Sequence, residues 1–89
     1  MKIKLELFGA SRDFSNKGYL ILDIKDHLKV KDLRKKIINY LDKNFKGNEN
    51  FKKIVQTSAF CSEDNNIIKD NYKITKDQKI GIIPPIGGG

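Results

Sequence analysis

The sequence predicts an α+β fold, in which a mixed sheet of four to five strands packs against one main helix. Three observations predict it. Two segments near the N-terminus alternate between apolar and polar residues, which is the pattern of half-buried strands. A later segment repeats its apolar residues at helical spacing. A short, evenly apolar segment close to the C-terminus is typical of a central strand covered by a helix.

The N-terminal part of the predicted sheet is a hairpin. Residues 1–8 and residues 19–24 each alternate between apolar and polar positions. Residues 9–18 between them are rich in glycine, serine, asparagine and aspartate, which favour turns. The two strands are therefore predicted to pair antiparallel. Their inward-facing residues are predicted to be Ile3, Leu5, Leu7, Leu20, Leu22 and Ile24.

A helix is predicted from about Lys31 to Lys43, after a loop over residues 25–29. Asp32 in its first turn suits the positive end of the helix dipole, and Gly47 marks its end. No side chain suited to capping precedes the helix, so the sequence leaves its first residue undefined. Its apolar stripe consists of Leu33, Ile37, Ile38 and Leu41.

Further strands are predicted in the C-terminal half. Residues 54–60 form the third strand, Ile67 and Ile68 a very short segment, and residues 79–83 the last strand. A turn-forming cluster at residues 62–66 follows the third strand. The last strand is the most evenly apolar, so we expect it to be central and to anchor the residues that follow it.

The composition predicts one globular domain. Eighty-nine residues leave room for a single core, which we assign to residues 1–83, with residues 84–89 as a flexible tail. No apolar run approaches the roughly 20 residues that span a bilayer, and the sequence contains no signal-peptide core. The single cysteine, Cys61, has no intramolecular disulfide partner, as is usual in reducing compartments. We therefore expect a cytoplasmic protein that does not associate with membranes.

The net charge of +7 is compatible with an anionic partner but does not specify one. The basic residues are mostly lysines distributed along the whole chain, which favours a solvated lysine surface over a nucleic-acid site. A basic nucleic-acid-binding module, in which Phe8, Tyr19 or Phe60 stacks on bases, is the alternative from a different class of function. The pattern disfavours it, and no nucleic-acid partner is expected.

Catalytic machinery within the chain is not expected. His27 is the only histidine and stands alone in a predicted loop, while Cys61 at a strand end is typical of a small hydrophobic residue. No cysteines and histidines have the spacing of metal ligands, and no glycine-rich loop opens a helix as a phosphate site would. The sequence predicts a protein that is not an enzyme alone and that binds no metal or cofactor.

The C-terminal tail is the segment with the most specific pattern. Pro84 and Pro85 fix φ and lack amide donors, so the last strand should end before them and continue in an extended direction. Residues 87–89 are glycines, which lack a Cβ and can follow a narrow channel in another protein. Fully extended, the tail reaches roughly 20 Å beyond Ile83. A frayed terminus or a linker is the alternative, but it does not explain a diproline joined directly to a core strand.

Three segments resemble the MoaD family, the small subunits of molybdopterin synthase, which are related to the ThiS sulfur carriers. They are residues 8–12 (Phe-Gly-Ala-Ser-Arg), residues 30–33 (Val-Lys-Asp-Leu) and residues 80–89, which end in Pro-Pro-Ile-Gly-Gly-Gly. The last segment is the most specific, and the resemblance extends over the whole chain in length and element order. It implies the ubiquitin-like β-grasp fold and a sulfur-carrier function.

The resemblance implies thiocarboxylate chemistry at Gly89. In this family a ubiquitin-activating-type adenylyltransferase (MoeB-like) uses ATP to adenylate the terminal glycine, and sulfur from a donor enzyme displaces AMP. The tail then enters the large subunit of molybdopterin synthase (MoaE-like) and donates sulfur to a pterin precursor of the molybdenum or tungsten cofactor. The free carrier is expected to be a monomer. By the same resemblance, the residues that bind and position the tail in its partners are Pro84, Pro85, Ile86, Gly87 and Gly88.

Related carriers are an alternative within the same fold. Ubiquitin-related sulfur carriers and protein modifiers also end in Gly-Gly, and serve tRNA thiolation, thiamine synthesis or conjugation to lysine. Two turns depart from the MoaD pattern: Asp77-Gln78 stands where Asp-Gly is usual, and the turn from Cys61 to Asn66 is longer and lacks Asn-Gly. The diproline favours the molybdopterin synthase subunit over the thiamine carriers.

Overall fold

The computed structural model describes residues 1–86, which form a five-stranded sheet, a two-stranded sheet and two α-helices. The strands are β1 (Lys2–Leu7), β2 (Tyr19–Asp23), β3 (Leu28–Lys29), β4 (Ala59–Cys61), β5 (Ile67–Ile68), β6 (Lys73–Ile74) and β7 (Gln78–Ile83). The helices are α1 (Val30–Phe45) and α2 (Glu49–Thr57), and a 3₁₀ helix spans Gly9–Phe14. The large sheet has the strand order β2-β1-β7-β4-β5, and β3 pairs with β6.

The predicted N-terminal hairpin is confirmed. β1 and β2 pair antiparallel with Ile3 opposite Leu22, and all six residues predicted to face inward are buried. The connection between them is more structured than a turn, because it contains the 3₁₀ helix. The hydroxyl of Ser11 donates a 2.6 Å hydrogen bond to the carbonyl of Phe8, and Phe14 is buried in the core.

β7 is the central strand, as predicted. It runs parallel to β1 and antiparallel to β4, so both of its edges are hydrogen-bonded. Ile80 and Ile82 are fully buried in the core that the sheet shares with the helices. The residues that follow β7 therefore start from a firmly held position.

The predicted main helix is confirmed as α1, which begins at Val30. An Asp32 carboxylate oxygen accepts a hydrogen bond from the amide of Lys29 at 3.1 Å, so the carboxylate that supports the helix start lies within the first turn. The helix ends at Phe45, shortly before Gly47, whose φ of 71° suits glycine. The buried residues of the predicted stripe are Leu33, Ile37 and Leu41, and Ile38 is half-buried.

The predicted third strand over residues 54–60 is wrong. Residues up to Thr57 belong to α2, and only Ala59–Cys61 pair as the strand β4. The side-chain oxygen of Asn48 accepts a hydrogen bond from the amide of Phe51 at 3.1 Å and thereby caps the start of α2. The chain thus has a second, shorter helix that the sequence pattern did not predict.

The error over residues 54–60 has a physical reason. Ile54 and Val55 are β-branched, and two such residues in a row favour a strand locally. Together with Phe51 they stand at i, i+3 and i+4, which is also the spacing of a helix face. The packing decides between the two: Val55 is fully buried, and the Phe51 ring lies 5.0 Å from that of Phe14.

The loop predicted over residues 25–29 contains the short strand β3. Leu28 pairs with Ile74 of β6, which is fully buried. The amide of Val30 donates to the carbonyl of Tyr72 at 3.0 Å, so this segment satisfies a donor in the first turn of α1. A strand of two residues is too short to show an alternating pattern of apolar and polar residues. Its pairing partner is also distant in sequence, so the sequence pattern did not predict it.

The predicted α+β class is confirmed, with a mixed five-stranded sheet and α1 as the main helix. α1 and α2 supply buried residues to the same core as β1, β2 and β7. Among residues 1–86, no helix has the length and apolar character needed to cross a bilayer.

Candidate functional site at the base of the C-terminal tail

The tail begins where β7 loses its hydrogen-bond donors. β7 ends at Ile83, because Pro84 has no amide proton to continue the ladder. Pro84 is buried, whereas Pro85 and Ile86 are exposed. Ordered packing therefore extends one residue past the strand, and the chain leaves the domain surface at Pro85.

Pro84 packs against the start of the 3₁₀ helix. A Cβ placed on Gly9 would lie 3.8 Å from Cδ of Pro84, so the backbone of Gly9 faces the proline ring directly. Gly9 has a φ of 55°, a conformation that glycine adopts without strain. The loop between β1 and β2 therefore forms one side of the tail's base.

A groove of 370 Å³ adjoins the tail on the side of α2. Its floor and walls combine Ala10 from the 3₁₀ helix and Pro84 and Pro85 from the tail with residues of α2. The α2 residues in this groove are Asn50, Lys53, Ile54 and Thr57. Because α2 was not predicted, this second wall of the tail's base could not be anticipated from the sequence.

The open face of the sheet carries a small apolar cluster of Phe8, Cys61 and Gly81. A Cβ on Gly81 would lie 3.0 Å from Cε2 of Phe8 and 2.7 Å from Sγ of Cys61, so only glycine fits there without displacing a neighbour. Although it contacts this position, the Phe8 side chain is 46% exposed. A single glycine inside an otherwise apolar strand is a signal of close approach, and it was available in the sequence.

Electrostatic contacts beside this cluster orient the neighbouring strands. The ammonium group of Lys79 lies 3.2 Å from a carboxylate oxygen of Glu6 on the adjacent strand β1. The backbone amide of Lys79 donates a 2.7 Å hydrogen bond to the carboxylate of Glu63, from the loop between β4 and β5. These contacts connect β7 to β1 and to the loop after β4.

The residues considered for catalysis do not come together. His27 is exposed in the loop before β3, and Cys61 is a half-buried free thiol on β4. Within residues 1–86, no three histidine, cysteine or acidic side chains form a group that could hold a metal ion. Of the predicted tail residues, the structure places Pro84, Pro85 and Ile86, while Gly87, Gly88 and Gly89 lie outside the described residues.

Two solved structures share this architecture. A candidate subunit 1 of molybdopterin converting factor from Pyrococcus furiosus matches with a TM-score of 0.69 and 16% identity, over 97% of this chain and 99% of that one. SAMP1 from Haloferax volcanii matches with a TM-score of 0.68 and 12% identity, over 100% of both chains. No family model and no curated protein matches the sequence.

The fold is the ubiquitin-like β-grasp. The fold that the resemblance to the MoaD family implies is therefore confirmed, and one of the two neighbours bears a molybdopterin converting factor name. At identities of 16% and 12%, the likeness establishes the β-grasp fold alone. The two neighbours score almost equally, so the fold does not select one pathway over another.

Proposed function

We propose that this chain is a sulfur carrier, and more specifically the small subunit of a molybdopterin synthase. The observation that carries the proposal is the geometry of the tail's base. The central strand ends at Ile83, Pro84 is buried against the domain, and Pro85 and Ile86 are exposed beyond it. The resemblance of residues 80–89 to the MoaD tail supports the choice of pathway. The fold shared with both solved structures supports a β-grasp carrier in general.

The proposed chemistry takes place at Gly89 as the C-terminal residue. Its carboxylate attacks the α-phosphate of ATP in an activating enzyme, pyrophosphate leaves, and an acyl adenylate forms. Hydrosulfide-level sulfur from a donor enzyme then attacks the acyl carbon, and AMP leaves as the C–O bond breaks. The product is a thiocarboxylate, and the carbon is neither oxidised nor reduced. Adenylation is needed because the oxygen of a free carboxylate is a poor leaving group.

In this scheme the chain positions its tail within its partner proteins, and the partners catalyse the adenylation and the sulfur transfer. The fixed φ of Pro84 and Pro85 directs the tail away from the domain. Ile86 is 99% exposed, so it is free to bury its side chain in a partner and anchor the tail there. Gly87 and Gly88 add no side chains that would obstruct a narrow channel.

The proposal assigns three partners to the chain. They are an adenylyltransferase of the ubiquitin-activating type, a sulfur donor enzyme, and the large subunit of molybdopterin synthase. The large subunit would receive the tail and transfer its sulfur to a pterin precursor. These reactions place the carrier in the cytoplasm, where ATP and reduced sulfur are both present.

Mass spectrometry of the protein purified from its native host tests the proposal. We expect a mass increase equal to the exchange of one oxygen for one sulfur, located on the C-terminal peptide that contains Gly89. A chain extended by one alanine after Gly89 is the control. It keeps the whole domain but converts the carboxylate of Gly89 to a peptide amide. That control should carry no sulfur.

The same measurement discriminates the alternative carriers. Co-purification of a thiocarboxylated chain with a large synthase subunit would support the molybdopterin pathway. Isopeptide bonds between Gly89 and lysines of other proteins, with no thiocarboxylate, would instead identify a protein modifier. Loss of tRNA thiolation in a deletion strain that retains molybdenum cofactor would identify a carrier for tRNA.

A further inference from the structure

We propose that the outward face of the two-stranded sheet of β3 and β6 binds a small phosphate-bearing anion. The anion would occupy a cavity that this sheet forms with the first turn of α1. The cavity shares no residue with the groove at the base of the tail. The site lies outside the proposed function and does not depend on it.

The pairing of β3 with β6 places two lysines directly opposite each other. Leu28 pairs with Ile74, and the next pair is Lys29 with Lys73. Ile74 is fully buried, so its pair faces the core. Because side chains alternate along a strand, the lysine pair faces outward, with Cβ atoms about 5 Å apart. Like charges in this arrangement destabilise a strand pair, and an anion bound between them would remove the repulsion.

Two further polar residues flank the lysine pair. His27 stands two residues before Lys29, and Thr75 stands two residues after Lys73. Residues two apart in an extended chain lie on the same face, and all four residues line one cavity of 580 Å³. An imidazole N–H and a hydroxyl each donate hydrogen bonds to oxygen. The face therefore combines two ammonium groups with two smaller donors.

Positive charge prevails in this cavity. Its third lysine is Lys31, and its acidic residue is Asp32. The carboxylate of Asp32 already accepts a hydrogen bond from the amide of Lys29 at 3.1 Å. Among residues 1–86, Lys29, Lys31 and Lys73 form no ion pair. Three ammonium groups thus surround the cavity, and the carboxylate beside them is engaged with the backbone.

The side chains, and not the backbone at the start of α1, supply the donors. The amide of Val30 donates to the carbonyl of Tyr72 at 3.0 Å. The amide of Lys31 donates to the carbonyl of Asp70, also at 3.0 Å. Because both amides are already bonded within the protein, an anion in the cavity would be held by the lysines and their neighbours on the sheet.

The chemistry of these groups favours a phosphate group over a carboxylate. A lysine ammonium is a compact charge with three donors, and it is a common ligand of phosphate. A phosphate monoester carries a charge of about −1.5 to −2 at pH 7, whereas a carboxylate carries a single charge. Small-molecule sites have volumes of about 300–1,000 Å³, so the cavity also has room for a small organic group on the phosphate.

A nucleic-acid backbone is the less favourable occupant. It requires basic residues along an extended stripe. The adjoining cavity, which shares His27 and Asp32 with this one, is lined by three lysines and three aspartates, so its charges balance. The excess of positive charge is therefore confined to the cavity at β3 and β6, as suits a compact anion.

The test is an NMR titration of the full chain at constant ionic strength. Inorganic diphosphate and glycerol phosphate are the two probes, and sodium chloride is the control. We expect each phosphate to give saturable shifts at the amides of Lys29, Lys31, Lys73 and Thr75, with a dissociation constant in about the millimolar range. Tighter binding of diphosphate would identify a free inorganic anion as the ligand class, and tighter binding of glycerol phosphate a phosphate monoester.

Lys73→Gln and Lys52→Gln form a matched pair of variants. Both side chains are exposed, both changes remove one charge, and Lys52 lies on α2 outside the cavity. Lys73→Gln should weaken phosphate binding by about tenfold, because it removes a charged donor. Lys52→Gln should bind as the parent chain does. Lys73→Glu places a carboxylate opposite Lys29 and should abolish binding in a folded chain.

Thermal unfolding separates a binding role from a structural one. Without phosphate, Lys73→Gln should unfold at the same temperature as the parent chain or a higher one, since it removes the repulsion with Lys29. Diphosphate should raise the melting temperature of the parent chain more than that of the variant. A lysine with only a structural role would make the parent chain the more stable one in both conditions.

Three results would overturn the proposal. The first is the absence of saturable shifts with either phosphate at about 10 mM. The second is an equal loss of binding in Lys73→Gln and Lys52→Gln, since net charge alone would then explain it. The third is binding of single-stranded RNA at this face by a chain that does not bind diphosphate, since the surface would then be a nucleic-acid site.

Discussion

The guanidinium group of Arg34 donates a 2.6 Å hydrogen bond to the carbonyl oxygen of Ser58. The same nitrogen donates to the carbonyl of Val55 at 2.7 Å, and the guanidinium carbon lies 4.8 Å from the centre of the Phe60 ring. One side chain of α1 thus satisfies two carbonyls where α2 ends and β4 begins. Such carbonyls have no partners within their own helix.

Replacing Arg34 by methionine should therefore lower the free energy of unfolding by about 2–4 kcal/mol, because two carbonyls lose a charged donor. Urea denaturation followed by circular dichroism measures the change. Asp70→Asn is the matched control: Asp70 pairs with Arg34 at 3.0 Å, but its side chain is 57% exposed. The control should cost less than about 1 kcal/mol. Equal losses in both variants would mean that the surface ion pair is the dominant contact.

Gly81→Ala should destabilise the protein by about 1–3 kcal/mol, since the new methyl group needs space held by Cys61 and Phe8. Thermal or urea unfolding measures it. Cys61→Ala removes the Sγ that would lie 2.7 Å from the new Cβ, so the double variant should lose less than the sum of the single losses. Strict additivity of the two substitutions would contradict the close approach.

Pro84→Ser and Pro85→Ser form a matched pair at the base of the tail. Both changes raise the entropy of the unfolded chain similarly. Only Pro84 is buried, so its replacement also loses packing against Gly9. We expect Pro84→Ser to lower the unfolding free energy by about 1 kcal/mol more than Pro85→Ser does. Similar stabilities for the two variants would indicate that Pro84 does not hold the tail's base.

Deleting Gly89, or replacing Gly88 by tryptophan, should abolish sulfur transfer in a reconstituted synthase assay. The first change shortens the tail by one residue, which moves the terminal carboxylate back by about 3.3 Å. The second introduces a side chain too large for a narrow channel. If these residues serve transfer and not stability, as we propose, the free energy of unfolding should change by less than about 0.5 kcal/mol. Retained transfer in either folded variant would refute the molybdopterin synthase proposal.

Strongly periodic segments were predictable from the sequence. β1 and α1 each bury one apolar face, and the spacing of the apolar residues within a single segment is enough to reveal such a face. The residues concerned are Ile3, Leu5 and Leu7 in β1 and Leu33, Ile37 and Leu41 in α1. α2 was missed because Ile54 and Val55 satisfy both a strand and a helix pattern. β3 and β6 were missed because they are two-residue pairings between distant parts of the chain.

For the candidate site, the properties of the tail that follow from its covalent structure could be predicted from the sequence. The absence of amide protons at Pro84 and Pro85 ends β7 in any fold, and the lack of Cβ atoms in residues 87–89 does not depend on tertiary structure. Which of the two prolines is buried was not readable, because Pro84 is covered by Gly9, which lies far from it in sequence.

The sequence by itself determined where the central strand must stop and which faces of β1, β2 and α1 are apolar, since these follow from covalent structure and local periodicity. Only the tertiary structure decided that residues 49–57 are a helix, that Pro84 is buried, that Arg34 joins α1 to the end of α2, and that β2 lies at an edge of the sheet. Each of these depends on contacts between residues far apart in the chain, whose energies no single segment contains.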